Sequence, residues 1–415
     1  MPLLGGSSDG ALAPLALPSF RRLFAARMLS WSGCAIAPIG LAFAVLRLPG
    51  GASVDGLGRV LACGVVPQIL LFFVSGVWAD RWPRHRLMVT ANLISSTAQA
   101  TAVALLWSGV ARLWHLALLA AVCGAATALF LPACSAAVAD SVPAELRGAA
   151  NALLRLGRST VRVGGPAAGA SMVAAIGPAW ALAWDAVSFA GSAALFARNG
   201  GPGAPGGPQT AFARQLREGW ADFRSRRWLV VITLQSALVL SVWMVGYQML
   251  GPVYGERFLG GAGPWGVVMS GFAAGVLGGS VLALWWRPRR TGLLCCASAV
   301  LMAMPLAAIA ARVHTVGLVL AVGAAGMLAS LSMTVWTGLL QEVIPRDRLS
   351  RAMSYSFFGE TVTVPLGYLA AAPASRVLGL KGTLELGALL IALLGTLPLL
   401  LPEVRLLSRR VTTAG

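Results

Sequence analysis

Apolar runs of about twenty residues recur about a dozen times along this chain, and they constrain its fold more than any other feature. An α-helix rises about 1.5 Å per residue, so each run is long enough to cross the roughly 30 Å hydrocarbon core of a bilayer. A β-barrel would instead show alternating segments of about ten residues, and the sequence lacks that pattern. The runs predict an all-α polytopic membrane protein with twelve transmembrane helices.

The composition excludes a soluble globular protein. The 415 residues are 57% hydrophobic and only 11% charged, whereas a soluble globular chain has about 25% charged residues. The formal net charge is +18, but the arginines lie in short breaks between apolar runs and form no basic domain. This distribution predicts the lipid bilayer, and no nucleic acid, as a partner.

The breaks between the runs also predict the orientation of the chain. Placing the N-terminus inside assigns most of the 32 basic residues to the cytoplasm, as the positive-inside rule requires. We therefore expect a multi-pass protein of the plasma (inner) membrane with both termini in the cytoplasm.

The longest break, residues 199–227, divides the chain into two halves. Its first part is rich in Gly and Pro, which predicts a flexible linker. From Ala211, apolar residues recur at helical spacing among arginines, which predicts a short amphipathic surface helix. The predicted organisation is a cytoplasmic segment 1–19, a six-helix bundle 20–198, the linker 199–227, a second six-helix bundle 228–402 and a cytoplasmic tail 403–415.

The two halves repeat each other. SVPAELRGAANAL (141–153) follows the fourth run, and VIPRDRLSRAMSY (343–355) follows the tenth. A six-plus-six repeat across a flexible linker is typical of rocking-bundle transporters, which open alternately to the two sides of the membrane.

A charged break, GVWADRWPRHRLM (76–88), separates the second and third runs. It resembles the loop between the same spans in the major facilitator superfamily, with Pro83 in place of the second glycine of that motif. The resemblance implies a conformational latch that closes the cytoplasmic side, formed by Gly76, Asp80, Arg81, Arg84 and Arg86. Asp80 can accept hydrogen bonds from a helix N-terminus or pair with an arginine. For Arg84 and Arg86, simple compliance with the positive-inside rule is the alternative.

Three further stretches resemble the enterobactin and macrolide exporter branch of that superfamily: FRRLFAARMLSWSG (20–33), ALFLPACSAAVADSVPAELRGAANAL (128–153) and WDAVSFAGSAALF (184–196). The resemblance implies a secondary-active efflux transporter of a hydrophobic or amphipathic small molecule, such as a drug, siderophore or secondary metabolite. It also implies proton antiport with alternating access, by a functional monomer. Import of a small nutrient or metabolite on the same fold is the alternative.

Three arginines lie within the fifth run at positions i, i+3 and i+7, namely Arg155, Arg158 and Arg162. They share one helix face, and a charge at membrane depth costs about 3 kcal/mol on insertion scales. We therefore expect this face to meet a wet cavity or a counter-ion. Gly157, Gly164 and Ala168 fall on roughly the opposite face, and we expect them to pack against a neighbouring helix.

Proton coupling requires an acid that can be loaded and released within the membrane. Glu360 of the eleventh span lies on a polar stripe and corresponds by the repeat to Arg158; an approaching Arg158 or Arg162 would favour release of its proton. Asp185 of the sixth span and the cytoplasmic acids Asp140 and Glu342 are the other candidates. For Glu360 and Asp185, a purely structural role is the alternative. Gly165, Pro166 and Gly169 resemble the end of the span-5 motif of superfamily antiporters. The glycines that precede them in that motif are absent from this chain.

Four aromatic residues lie in spans that line the central cavity of the superfamily, namely Trp31, Trp243, Tyr247 and Trp336. We expect them to form the wall of a substrate-binding site. Core packing or an interfacial belt is the alternative for each of them, and Tyr247 suits the belt best.

The sequence predicts no cofactor and no metal site. The six cysteines lie in apolar runs without metal-ligand spacing, and the three histidines are scattered. A nucleotide-binding P-loop needs Gly-Lys-Ser/Thr, but the only lysine is Lys381 in GLKGT. Because no cluster of His, Asp or Cys appears near one surface, we expect a transporter and not an enzyme.

Overall fold

The computed structural model describes residues 12–49, 54–81, 83–198, 224, 226–286, 288, 290–344 and 346–406. Within these ranges, the side chains left undescribed are those of residues 72–81, 84, 131–133, 135–136, 139–140, 144, 346–358 and 360–361. The predicted amphipathic helix from Ala211 lies outside the described residues, as do the first eleven residues and those after 406.

The described chain is helical, and strands are absent from it. Two stretches are π-helical: Met244–Met249 lies within the seventh predicted span, and Gly255–Leu259 lies beyond its predicted end. The α-helices are α1 (Pro18–Leu46), α2 (Val54–Arg81), α3 (Arg84–Trp107), α4 (Leu113–Ser141), α5 (Arg147–Ile176), α6 (Pro178–Ala197), α7 (Arg227–Trp243), α8 (Leu250–Tyr254), α9 (Ala262–Trp285), α10 (Thr291–Leu301), α11 (Ala303–Ala310), α12 (Thr315–Val343), α13 (Arg346–Thr396) and α14 (Pro402–Arg405).

Within the described residues, 10 helical segments are long and apolar enough to cross a membrane. Two features explain the difference from the twelve predicted spans. The segment Val362–Leu400 contains Gly379 at φ 68° and ψ 179°, a backbone conformation that glycine adopts readily and that turns the chain between the predicted spans 352–378 and 383–402. The 30-residue α5 is absent from these segments because its arginines make it less apolar. The predicted all-α polytopic fold is confirmed.

Contacts divide the chain into two compact units, of which the first comprises Met1–Ala44 and Cys63–Pro208. In this unit α3 packs against both α4 and α6. Three buried phenylalanines from α1, α4 and α6 anchor a shared apolar core, namely Phe20, Phe130 and Phe196. The core holds the ends of these helices together. It thereby fixes the positions of the polar residues further along the same helices.

Helix α5 packs on α1 through small residues. A Cβ atom added at Gly157, Gly165 or Gly169 would overlap or crowd α1 at Met28, Ala35 and Ile36, respectively. The expectation for Gly164 and Ala168 is wrong, because both are exposed. The packed stripe advances by eight and then four residues from Gly157, which keeps one helix face in contact with α1. Pro166, beside this stripe, is half-buried within the helix.

The second unit comprises Val45–Ala62 and Gln209–Gly415. Its α9 and α12 approach closely because Gly275 and Gly279 of α9 lie directly against the backbone of α12. Helices α7 and α13 are joined by hydrogen bonds in which Ser241 Oγ donates to the Thr363 carbonyl at 2.8 Å and Thr363 Oγ1 donates to the Ala237 carbonyl at 2.9 Å. Small and hydroxyl side chains therefore set the helix spacing in this unit, as is typical of membrane helices.

Candidate functional site

The arginine face of α5 is exposed; the wet cavity or counter-ion expected there stays a prediction. Arg155, Arg158 and Arg162 are all exposed, and none of them forms an ion pair or hydrogen bond with a described residue. Arg158 and Arg162 lie one helical turn apart and are close enough to repel each other. The face therefore presents uncompensated positive charge within a membrane-spanning unit.

Arg27 of α1 extends this positive surface. Its guanidinium lies 4.4 Å from the ring centroid of Trp31 and 5.0 Å from that of Phe130, which are cation–π distances. Arg27 also interacts electrostatically with Arg158 of α5. Trp31, one of the predicted cavity aromatics, is half-buried and lies beneath this guanidinium.

The carboxyl group of Asp185 is enclosed in the middle part of α6, where the residue is 2% exposed. Its Oδ2 accepts a hydrogen bond of 2.8 Å from Gln99 Nε2 of α3, and its Oδ1 has no partner among the described groups. No described arginine or lysine pairs with it. An enclosed carboxyl group without a cation is stable when it carries a proton. The arrangement suits a group that takes up and releases protons.

Close helix packing encloses Asp185. Gly33 of α1 lies against both Asp185 and Ser188 of α6, and a Cβ atom at Gly33 would overlap both side chains. Two turns beyond Asp185 along α6, Ser192 Oγ accepts a hydrogen bond of 3.2 Å from Asn92 Nδ2 of α3. The polar residues that α3 and α6 contribute are therefore paired with one another, which leaves Asp185 Oδ1 as the unsatisfied atom.

The predicted aromatics of the second unit are packed against other rings. Trp243 and Tyr247 stack with ring centroids 4.7 Å apart and are 4% and 3% exposed. Tyr247 also contacts Trp265, with centroids 5.4 Å apart. Burial of Tyr247 disagrees with a place in an interfacial aromatic belt and favours the packing alternative. Trp336 is half-buried and meets Trp228 edge to face at 5.8 Å.

The predicted latch residues flank a very short connection. Gly76, Asp80 and Arg81 lie in the last two turns of α2, and Arg84 and Arg86 lie in the first turn of α3. Arg86 is exposed, and the side chains of the other four lie outside the described residues. The latch therefore stays a prediction.

The side chains of the two predicted coupling acids Glu360 and Asp140 also lie outside the described residues, although their backbones belong to α13 and α4. Their roles stay predictions as well. Among the His, Cys, Asp and Glu residues that are described, no group of three or more could hold a metal ion.

Sequence reasoning missed a charged cluster in the second unit. Asp55 Oδ2 accepts hydrogen bonds of 2.6 Å from both Arg59 Nη2 and Arg376 Nη2. Nearby in the sequence, Arg47 Nε lies 3.5 Å from Glu256 Oε1. The i, i+4 spacing of Asp55 and Arg59 was a usable signal, but the approach of Arg376 depends on tertiary structure.

Comparison with known proteins agrees with this architecture. Residues 23–368 match the Major Facilitator Superfamily, and no curated protein sequence matches the chain. Similar solved structures include the nucleoside transporter NupG (12% identity, covering 92% of this chain and 98% of that chain, TM-score 0.71). They also include a bacterial homolog of the human lysosomal transporter Spinster (14%, 93% and 97%, 0.71) and a D-xylose-proton symporter (12%, 93% and 98%, 0.69).

At such identities these structures show the fold, whereas the sequence match shows the family. The match covers well over half of the chain, and the described helices are long and apolar enough for a multi-pass membrane protein. The chain therefore belongs to the Major Facilitator Superfamily of secondary-active membrane transporters.

Proposed function

We propose that this chain is a proton-driven exporter of a hydrophobic or amphipathic small molecule, such as a drug, siderophore or secondary metabolite. It works as a functional monomer in the plasma (inner) membrane, with both termini in the cytoplasm. Bundles 20–198 and 228–402, joined by the linker 199–227, rock to expose the substrate alternately to the two sides. The three stretches that resemble enterobactin and macrolide exporters support the outward direction.

The enclosed carboxyl group of Asp185 is the observation that carries proton coupling in this proposal. It is 2% exposed, and only Gln99 donates to it among the described residues. A group of this kind is neutral when sealed from water and ionises when the helices around it admit water or a cation. Asp185 therefore takes a proton from the outer side and releases it inside. Glu360 is proposed as a second coupling acid and Asp140 as a third, on the sequence argument alone.

Aromatic residues supply the apolar part of the proposed substrate site. Trp31 and Trp336 are half-buried, so that part of each ring is available to a ligand. Trp243 and Tyr247 are buried against each other and support the site through packing. Stacking surfaces of this kind suit flat apolar groups of many shapes, which fits an amphipathic substrate.

Import on the same fold is the second candidate function. The solved structures of similar fold include a D-xylose-proton symporter, in which substrate and proton move in the same direction. Because antiport and symport differ in the direction of accumulation, vesicles of defined orientation can separate the two.

Inside-out vesicles with an acidic lumen are expected to accumulate a substrate of the exporter, because protons leaving the lumen drive it inward. Radiolabelled erythromycin and a catecholate siderophore serve as the macrolide and siderophore probes, with a protonophore and vesicles lacking the protein as controls. Accumulation should collapse with the protonophore. Uptake into right-side-out vesicles with acid outside would contradict export and support the symport alternative.

Asp80→Asn is expected to leave the amount of protein in the membrane near normal and to reduce transport by about tenfold or more. The substitution keeps the size of the side chain but removes the charge that makes its hydrogen bonds to a helix N-terminus or an arginine strong. Initial uptake rates in inside-out vesicles, normalised to protein, test the latch. Asp80→Glu, which restores the charge, is the matched control; full transport by Asp80→Asn would show that the latch role is wrong.

A further inference from the structure

Three arginines of the first unit, Arg27, Arg158 and Arg162, form what we term the arginine cluster. Arg27 belongs to α1 and the other two to α5. Arg158 interacts electrostatically with both of the others, and no described carboxylate pairs with any member. Like charges gathered in a membrane-spanning unit are costly unless an anion joins them.

We infer that the arginine cluster binds the anionic group of the transported molecule, a carboxylate, phosphate or sulfonate attached to an apolar body. The inference rests on the proposed function and narrows its substrate class to amphipathic anions. Guanidinium groups suit this task because each presents paired N–H donors that match two oxygens of such an anion. Several guanidiniums around one anion also relieve their mutual repulsion.

An aromatic surface adjoins the cluster and accounts for the apolar part of the ligand. The Arg27 guanidinium lies 4.4 Å from the Trp31 ring centroid, so charge and ring are presented side by side. Trp31 is half-buried and retains accessible surface. A ligand that combines an anionic group with a flat apolar group can contact both at once.

The depth of the cluster argues against a lipid headgroup as its partner. Arg162 lies at the middle of the 30-residue helix α5, and Arg158 lies only about 6 Å from it along the axis at 1.5 Å per residue. Lipid phosphates lie beyond the hydrocarbon core, about 15 Å from the middle of the bilayer. With the middle of α5 placed at the middle of the bilayer, an anion that meets Arg162 lies deeper than a lipid phosphate.

Helix packing fixes the spacing of the cluster. Gly157, adjacent to Arg158 in sequence, lies against Phe24 and Met28 of α1, the helix that carries Arg27. A side chain at this glycine would push the helices apart and separate the two guanidiniums. The cluster is therefore held in place before the ligand arrives, which lowers the entropic cost of binding.

Binding of two matched probes tests the inference. 1-Naphthoate and 1-naphthamide have nearly the same shape, and only the first carries a charge. Equilibrium binding to the full chain in phosphatidylcholine nanodiscs, with empty nanodiscs as background, is expected to favour naphthoate by about tenfold or more, as charge-assisted hydrogen bonds allow. In the Arg158→Gln and Arg162→Gln variants, the ratio of the two affinities should fall close to one.

Arg155→Gln is the matched control on the same helix face. Arg155 lies nearer the end of α5, where a long side chain can extend to the membrane surface, and it is not a member of the cluster. Its substitution should leave the preference for naphthoate unchanged. The thermal unfolding temperature of each variant is measured alongside, so that loss of binding is interpreted only for folded protein.

A second set of nanodiscs that contain phosphatidylglycerol distinguishes a ligand anion from a lipid phosphate. Naphthoate binding that persists there supports the inference. The inference would be overturned if the two probes bound equally or if neither bound. It would also be overturned if the protein showed no preference for naphthoate but retained phosphatidylglycerol, and this retention fell in the Gln variants. The assay measures binding alone, so failure of vesicle export with a preserved naphthoate preference would contradict only the proposed function.

Discussion

Vesicles that contain the Asp185→Asn protein are expected to lose proton-driven accumulation of substrate almost completely while retaining downhill exchange. Asparagine has nearly the size of aspartic acid and can still accept the 2.8 Å hydrogen bond from Gln99, so the fold should persist. It cannot bind and release a proton in the physiological range. The substitution therefore mimics the protonated acid permanently and removes coupling without removing the substrate pathway.

Uptake into inside-out vesicles with and without an acidic lumen measures coupling, and counterflow of radiolabelled substrate at uniform pH measures exchange. Ser192→Ala is the matched control, because it removes the hydrogen bond from Asn92 two turns further along α6 but leaves the acid. Glu360→Gln is tested in parallel as the acid favoured by the sequence. Normal accumulation by Asp185→Asn would exclude Asp185 as the coupling group and leave Glu360 or Asp140.

Gly279→Ala is expected to destabilise the second unit strongly. A Cβ atom at this position would overlap the backbone carbonyl of Met327 on α12, and a backbone atom cannot rotate away as a side chain can. Helices α9 and α12 would have to separate along their contact, at a cost of roughly 1–3 kcal/mol for overpacking. Thermal unfolding of the purified protein should show a clearly lower midpoint, and less protein should reach the membrane.

The adjacent glycine provides the control. Gly278 is exposed, and its nearest neighbour for an added Cβ atom is Met327 Sδ at 3.9 Å, an ordinary van der Waals distance. Gly278→Ala should leave the midpoint unchanged or raise it slightly, because alanine favours the helix. Equal midpoints for the two variants would show that α9 and α12 do not pack as closely as described.

The spans could be predicted from the sequence because crossing a membrane is a local property. Each span satisfies its own backbone hydrogen bonds, so length and apolarity suffice to locate it. Helix α5 was predicted as a span although its arginines place it below the apolarity of the others. The break at Gly379 also falls between two predicted spans, 352–378 and 383–402, although α13 is otherwise continuous there.

Packing faces were harder to predict. Gly157, Gly164 and Ala168 all suit a close helix contact, yet only Gly157 packs on α1, together with Gly165 and Gly169. A helix can have small residues on more than one face, and the face that becomes buried depends on which neighbouring helix packs against it. The same holds for Trp243 and Tyr247, whose burial follows from partners such as Trp265 that come from another helix.

Sequence alone was enough for the class and the spans, because hydropathy and charge are properties of contiguous residues. Tertiary structure was needed to show that Asp185 is enclosed with Gln99, which lies 86 positions away in the chain. It was also needed to bring Arg27 of α1 to Arg158 of α5. Both arrangements depend on which helices become neighbours, and that choice is made by small residues such as Gly33 and Gly157 acting across distant parts of the chain.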